Sequence, residues 1–143
     1  MSGRSTKAFL DANTIISGLL FPGNEATLLE LGRAKAVVLV TNHYVIEEVK
    51  AVLRRKEFDL SVEEVNGLIK YLNTCLTTEE NPPNEMIKNN IHLLDDEKDL
   101  LVALGASHSD SDYLVTGDKE MQEKTPISTT TRKLLEKIFS RNL

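Results

Sequence analysis

The sequence predicts a three-layer α/β/α sandwich with a central, mainly parallel sheet, and two observations support this fold class. Short apolar runs, such as Ala8-Phe9-Leu10 and residues 37–40, alternate with segments of helical periodicity. Strands separated by helices need crossover connections, which favour parallel pairing. In addition, two apolar runs lead directly to aspartates, Asp11 and Asp118. Because ligands of open α/β sheets bind at the carboxyl ends of strands, these acids mark a candidate site.

Each element is predicted from periodicity and from its terminal residues. Ser61 and Glu64 form a capping-box pattern at the start of one helix, and Pro82-Pro83 mark a loop. The predicted strands are residues 7–10, 37–40, 75–78, 112–116 and 126–128. The predicted helices are residues 13–21, 25–34, 42–56, 61–72, 96–108, 119–124 and 131–140.

Length and composition predict one soluble globular domain over residues 1–143. Apolar residues make up 41% and charged residues 27% of the chain, which is ordinary for a folded enzyme. The single cysteine, Cys75, has no intramolecular disulfide partner, which favours a cytoplasmic location. No segment approaches the roughly 18 apolar residues that a membrane-spanning helix needs, so no membrane association is expected. The net charge of −5 disfavours a broadly basic nucleic-acid binder but is compatible with a metal-dependent nuclease.

Position in the predicted fold separates candidate functional acids from the other acidic side chains. Asp11 and Asp118 follow strands, where solubility alone requires no carboxylate. Asp99 begins the apolar stripe of its helix. Glu48 lies on the inward face of its helix, whereas Glu47 is rotated by about 100° from it. Four carboxylates therefore converge on the carboxyl edge of the predicted sheet.

Converging carboxylates repel one another unless a cation lies between them. Oxygen ligands favour Mg²⁺ or Mn²⁺ over zinc, and the three histidines are scattered along the sequence. The chemistry expected from such a site is metal-assisted hydrolysis of a phosphate ester.

Four segments give the chain a resemblance to a known family. They are F-L-D-A-N-T-I-I-S-G-L-L, V-I-E-E-V-K-A-V-L, D-E-K-D-L-L-V-A-L and S-D-Y-L-V-T-G-D-K-E-M. Together they span almost the whole chain and resemble the PIN-domain family, the small metal-dependent ribonucleases that include VapC-type toxins of toxin–antitoxin pairs. One departure is Leu104-Gly105-Ala106, where the family usually has a further alanine-rich turn.

The resemblance implies roles for individual residues. The catalytic, metal-binding acids would be Asp11, Glu48, Asp99 and Asp118, holding Mg²⁺ or Mn²⁺. Residues that orient or supplement them would be Asn13, Thr116, Asp96 and Asp112. The implied activity is endonucleolytic hydrolysis of single-stranded RNA, as a toxin with an antitoxin protein as partner, and the implied assembly is a homodimer or higher homo-oligomer.

Several alternatives stay open at the level of sequence. Asp118 could serve only as a helix N-cap, Asp99 could serve only the helix dipole, and Glu47 could replace Glu48. A PIN-like module could bind RNA or protein without cleaving it. The Asp11-Ala12-Asn13-Thr14 segment also resembles the D-x-D-x-T motif of haloacid-dehalogenase phosphatases, but Asn13 stands where these enzymes need an acid/base aspartate.

Overall fold

Five parallel strands form one sheet in the computed structural model, which describes residues 5–141. The strands are β1 (Lys7–Leu10), β2 (Val38–Asn42), β3 (Thr77–Glu79), β4 (Tyr113–Val115) and β5 (Ser128–Thr129). Their order across the sheet is β3-β2-β1-β4-β5, and every neighbouring pair is parallel. The predicted fold class is therefore confirmed. The ends of the predicted domain, residues 1–4 and 142–143, lie outside the described residues.

Eight α-helices connect and follow these strands within the described residues. They are α1 (Ala12–Leu20), α2 (Asn24–Arg33), α3 (His43–Leu53), α4 (Val62–Cys75), α5 (Asn84–Asn89), α6 (Glu97–His108), α7 (Lys119–Lys124) and α8 (Thr131–Arg141). A 3₁₀ turn covers Lys56–Phe58. None of the helices in residues 5–141 combines the length and the apolar character that a bilayer crossing demands.

The strand order places the helices in two layers. From β1 to β2 to β3 the chain moves in one direction across the sheet, and from β3 to β4 to β5 it moves in the other. Since parallel crossovers are right-handed, this reversal puts the α5–α6 connection on the face opposite to α1–α4. Consistent with this, α6 contacts β1, β2 and β4, while α8 contacts α2.

The core fills the space between these layers. Phe9 and Leu10 of β1 are fully buried, as are Leu114 and Val115 of β4. In β1 and β4 the buried residues follow one another without alternation, as expected for strands covered on both faces. The pairing of Phe9 with Leu114 fixes the register, so that the residues following the two strands emerge side by side.

Side-chain caps begin several helices where the sequence predicts them. The Ser61–Glu64 capping box is present in full at the start of α4. Asn42 caps α3 by accepting a hydrogen bond from the Val45 N–H at 3.0 Å. These local signals explain why the predicted helix starts agree closely with the structure.

Several helix and strand limits differ from the prediction by one to three residues, as in α4, which ends at Cys75 instead of residue 72. Three differences bear most on the fold. β2 runs to Asn42 instead of residue 40, because the Thr41 hydroxyl donates to the Leu10 carbonyl at 2.9 Å and β3 pairs alongside. The last strand is Ser128–Thr129 instead of residues 126–128. The short helix α5 follows directly after Pro83, where only a loop is predicted.

Candidate active site

A cavity of about 130 Å³ lies at the carboxyl edge of the sheet. It is located where the strand order reverses, between β1 and its neighbour β4. Asp11 directly follows β1, and Asp118 follows β4 after a short turn; both line the cavity. In open α/β sheets this switch point is the usual place for a ligand.

Acidic side chains from four separate parts of the chain line this cavity. Glu48 reaches it from α3, and the start of α6 contributes two further acids. The five carboxylates that surround this space, here called the acid cavity, are Asp11, Glu48, Asp96, Asp99 and Asp118. The structure thus brings together all four acids predicted as ligands and one predicted as supplementary.

Three of these aspartates are also helix N-caps. The Oδ1 atom of Asp11 accepts from the Thr14 N–H at 2.9 Å, and that of Asp118 accepts from the Met121 N–H at 2.8 Å. Asp96 Oδ1 accepts from two N–H groups in the first turn of α6. Each cap uses one carboxylate oxygen and leaves the other, so capping and ligand binding are compatible roles.

Asp99 and Glu48 are held differently, because neither side chain accepts a hydrogen bond or forms an ion pair within the described part of the chain. Burial raises the pKa of Asp99, and the negative charges of Asp96 and Asp118 raise it further. Burial also raises the pKa of Tyr44, and the charge of Glu48 adds to that effect. In both cases burial is the larger cause, and the neighbouring negative charges add to it.

Lys98 is the one positively charged side chain among the described residues that line the acid cavity. No lysine or arginine of residues 5–140 lies within ion-pair distance of any of its five acids. Sequence reasoning missed Lys98. Its position in the first turn of α6, directly before Asp99, was the available signal.

The donor set fits a hard divalent cation in its chemistry. Only oxygen ligands are present, and like charges surround a small space, which a cation would relieve. In the described arrangement of residues 5–140, no three acidic, histidine or cysteine side chains already converge as ligands of one ion. Joint coordination therefore requires side-chain rotation, which Glu48 and Asp99 can undergo without losing a hydrogen bond.

Thr116 and Asn13, predicted to orient the acids, both line the acid cavity. The buried Thr116 hydroxyl accepts from the Asp118 N–H at 3.1 Å, and the Thr116 carbonyl accepts from Gln122 at 3.1 Å. Thr116 thereby fixes the backbone from which Asp118 projects. Asn13 is exposed, at the rim of the cavity.

Two acids considered at the sequence level lie elsewhere. Asp112 precedes β4, at the opposite edge of the sheet, where its Oδ2 accepts from the Lys7 N–H at 2.8 Å. The structure therefore does not bring Asp112 to the acid cavity, and its assignment as a supplementary ligand is corrected. Glu47 is exposed and lies 3.4 Å from the Lys50 ammonium, so Glu48 is the acid that faces the cavity.

Close packing explains the glycine that departs from the family pattern. A Cβ atom on Gly105 would lie 2.5 Å from Nδ2 of Asn42 and 2.8 Å from Cζ of Phe9. Asn42 is itself 1% exposed, and its Nδ2 atom has no hydrogen-bond partner within the described residues. Gly105 therefore lets α6, which carries Asp99, approach the sheet closely.

Comparisons with known proteins agree with this architecture. The chain is similar to PAE2754 from Pyrobaculum aerophilum, whose crystal structure superposes with a TM-score of 0.70 at 21% sequence identity, covering 96% of this chain and 99% of that chain. At this identity the likeness shows the fold. No curated protein sequence matches the chain.

The sequence profile of the PIN domain matches residues 7–120, which include all five carboxylates of the acid cavity. This match covers most of the chain and agrees with the resemblance found in its motifs. PIN domains have a nuclease-type fold, and their nucleases typically use divalent metals. The chain therefore belongs to the PIN-domain family.

Proposed function

We propose that this protein is a Mg²⁺- or Mn²⁺-dependent endoribonuclease that hydrolyses phosphodiester bonds in single-stranded RNA. The observation that supports the proposal is the meeting of five carboxylates from separate chain segments in one cavity at the switch point of the sheet. Structural acids are normally paired or solvated individually, whereas this set is neither paired nor dispersed.

The acids that would hold the metal are Asp11, Glu48, Asp99 and Asp118, with Asp96 beside them. When bound, the ion would make a water molecule nucleophilic at neutral pH and stabilise the negative charge that develops on the phosphate. The cap bonds of Asp11 and Asp118 would keep these carboxylates oriented before substrate arrives. Lys98 would supply positive charge at the wall of the cavity, where a phosphate oxygen needs it.

Of the two alternative functions, a phosphatase and a non-catalytic PIN module, the family match bears on the first. Membership of the PIN-domain family argues against the haloacid-dehalogenase alternative. This chain also has Asn13 where those phosphatases need their second aspartate. A non-catalytic PIN module is the remaining competitor, and it predicts metal-independent RNA binding without cleavage.

The direct test is cleavage of an end-labelled single-stranded RNA by protein freed of metal with EDTA. Cleavage is expected only after Mg²⁺ or Mn²⁺ is added, and Asp11→Asn is expected to lower the rate about 100-fold or more.

Glu48→Gln and Glu47→Gln form a matched pair on adjacent positions of α3. We expect a large loss for Glu48→Gln and a rate within about twofold of wild type for Glu47→Gln. Full activity in EDTA, or in Asp11→Asn, would contradict the proposal.

The toxin role is a further proposal, supported by family membership and small size. Its expected partner is an antitoxin protein, its expected assembly a homodimer or higher homo-oligomer, and its expected location the cytoplasm. Expression in a bacterial host should arrest growth, and Asp11→Asn should relieve the arrest. Harmless expression of an active nuclease would count against this role, and light scattering would test the assembly.

A further inference from the structure

A second cavity adjoins the acid cavity on the side of β5 and α8. It has a volume of about 270 Å³ and is lined by segments from α1, from the start of α2 and from the β5–α8 connection. Asn13 and Thr116 line both cavities. The two spaces are therefore neighbouring parts of one groove. The second cavity is here called the α8 groove.

The amino-terminal end of α8 forms one wall of the α8 groove. Thr130 caps this helix: its hydroxyl accepts from the Lys133 N–H at 3.2 Å and its carbonyl from the Leu134 N–H at 3.0 Å. The N–H groups of Thr131 and Arg132 precede the first internal hydrogen bonds of the helix, so they are available to a ligand. The helix dipole favours an anion at this end.

Thr131 provides an independent sign of a ligand in the groove. Its side chain is only 5% exposed, yet its hydroxyl forms no hydrogen bond with any described residue. Within residues 5–140, Nδ2 of Asn42 is the one fully enclosed side-chain polar atom without a partner, so the Thr131 hydroxyl keeps an opening. Since Thr131 lines the α8 groove, that opening is the groove. A buried hydroxyl without a partner costs free energy until a ligand or water satisfies it.

Arg132 adds positive charge next to this hydroxyl. It is exposed, lines the α8 groove and forms no ion pair within the described residues. The one carboxylate on the groove, Glu25, accepts from the Ser17 hydroxyl at 3.3 Å. The guanidinium is therefore available for a phosphate, which its planar set of donors recognises well.

We propose that the α8 groove binds the backbone phosphate of the nucleotide adjacent to the scissile bond of a single-stranded RNA. The Arg132 guanidinium, the Thr131 hydroxyl and the free N–H groups of α8 are its ligands. The acid cavity alone would repel a polyanion, and the groove places the Arg132 guanidinium and the N–H donors of α8 beside it. This inference rests on the proposed nuclease function and deepens it.

The test compares two substrates: a single-stranded RNA oligonucleotide, and bis(p-nitrophenyl) phosphate, a diester with no second phosphate. We expect Arg132→Ala to lower kcat/KM for RNA about tenfold more than kcat/KM for the small diester. Thr131→Val, which removes only the hydroxyl, is expected to shift the same ratio in the same direction by about threefold. Lys133→Ala is the matched control, because it removes an equal charge from the next position of α8 and does not line the groove.

Equal ratios for Arg132→Ala and Lys133→Ala would overturn the inference. If wild type with Mn²⁺ hydrolyses neither substrate, the nuclease proposal fails, and RNA binding in EDTA then decides the groove separately. In that assay Arg132→Ala should reduce the slope of log K against log salt by about 0.7, one phosphate contact, and Lys133→Ala should not. Identical slopes in the two variants would refute the groove. Thermal melting shows that each variant is folded.

Discussion

The two aspartates that flank β4, Asp112 and Asp118, show how differently the two edges of the sheet treat charge. At the amino-terminal edge, the Asp112 carboxylate and N–H both bond to the Lys7 backbone at 2.8 Å. The Lys7 ammonium in turn lies 3.3 Å from Glu79. At the carboxyl edge, Asp118 caps α7 but shares the acid cavity with four other carboxylates that have no ion-pair partner in residues 5–140. Charge at one edge is paired within the chain, whereas the acids at the other edge have no ion-pair partner in residues 5–140.

Replacing one aspartate at each edge gives the largest expected contrast. Asp118→Asn should keep its helix cap, since asparagine caps as well as aspartate, yet lose about 100-fold or more in Mn²⁺-dependent RNA cleavage. Asp112→Asn should cleave RNA within about twofold of wild type per folded molecule, while its free energy of unfolding falls by about 1 kcal/mol. Cleavage assays and urea denaturation measure the two effects. Similar losses of cleavage in both variants would remove the distinction between the edges.

A second contrast concerns the contact that holds α6 against the carboxyl edge. Gly105→Ala would force its new methyl group against Asn42 and Phe9, so we expect a loss of about 1–3 kcal/mol in unfolding free energy. Because α6 carries Asp99, cleavage should also fall. The control is Gly67→Ala on α4, where nothing lies within 4 Å and where a gain of about 0.5–1 kcal/mol is expected. Equal melting temperatures for the two variants would contradict this account of Gly105.

The smallest expected effect is the pH dependence that Asp99 contributes to stability in EDTA. Its pKa is raised above the ordinary value of 3.8, so the folded protein holds this proton more tightly than the unfolded chain. Stability should therefore fall as pH rises from 3.8 through the raised pKa. Asp99→Asn should lose less stability than wild type over this range. Below pH 3.8 the unfolding free energies of the two proteins should depend on pH in the same way. Urea denaturation between about pH 4 and 7 measures it, with Glu47→Gln as control; parallel curves for wild type and Asp99→Asn would refute it.

Much of the fold follows from local sequence signals. The limits of β1 and α7 are predicted to the residue, and the Ser61 capping box is present, because each depends on neighbouring residues alone. The end of β2 is not predicted, since it depends on the hydrogen bond from Thr41 to the distant Leu10 carbonyl. The short helix α5 also escapes prediction, because its periodic segment is too short to detect.

For the site, too, local sequence patterns predict some residues, whereas others depend on contacts between distant parts of the chain. Apolar runs ending on Asp11 and Asp118, together with parallel strands, predict that the two acids are neighbours. Asp112 is assigned from the family resemblance, although it begins the predicted parallel strand and therefore lies at the amino-terminal end of β4, away from Asp118. Lys98 is not predicted because its position directly before Asp99 is only a weak signal, and its approach to the acid cavity depends on how α6 packs.

The pairing of β1 with β4 also has a consequence for when the site can exist. These neighbouring strands come from parts of the chain about 100 residues apart, as in the 105-residue separation of Lys7 and Asp112. Closing so long a loop is slow compared with forming local helices. On the ribosome, Asp11 emerges early but has no partner until residue 118 has followed it. The complete set of acids therefore assembles only after Asp118 has been synthesised, and any nuclease activity of the nascent protein begins after that point.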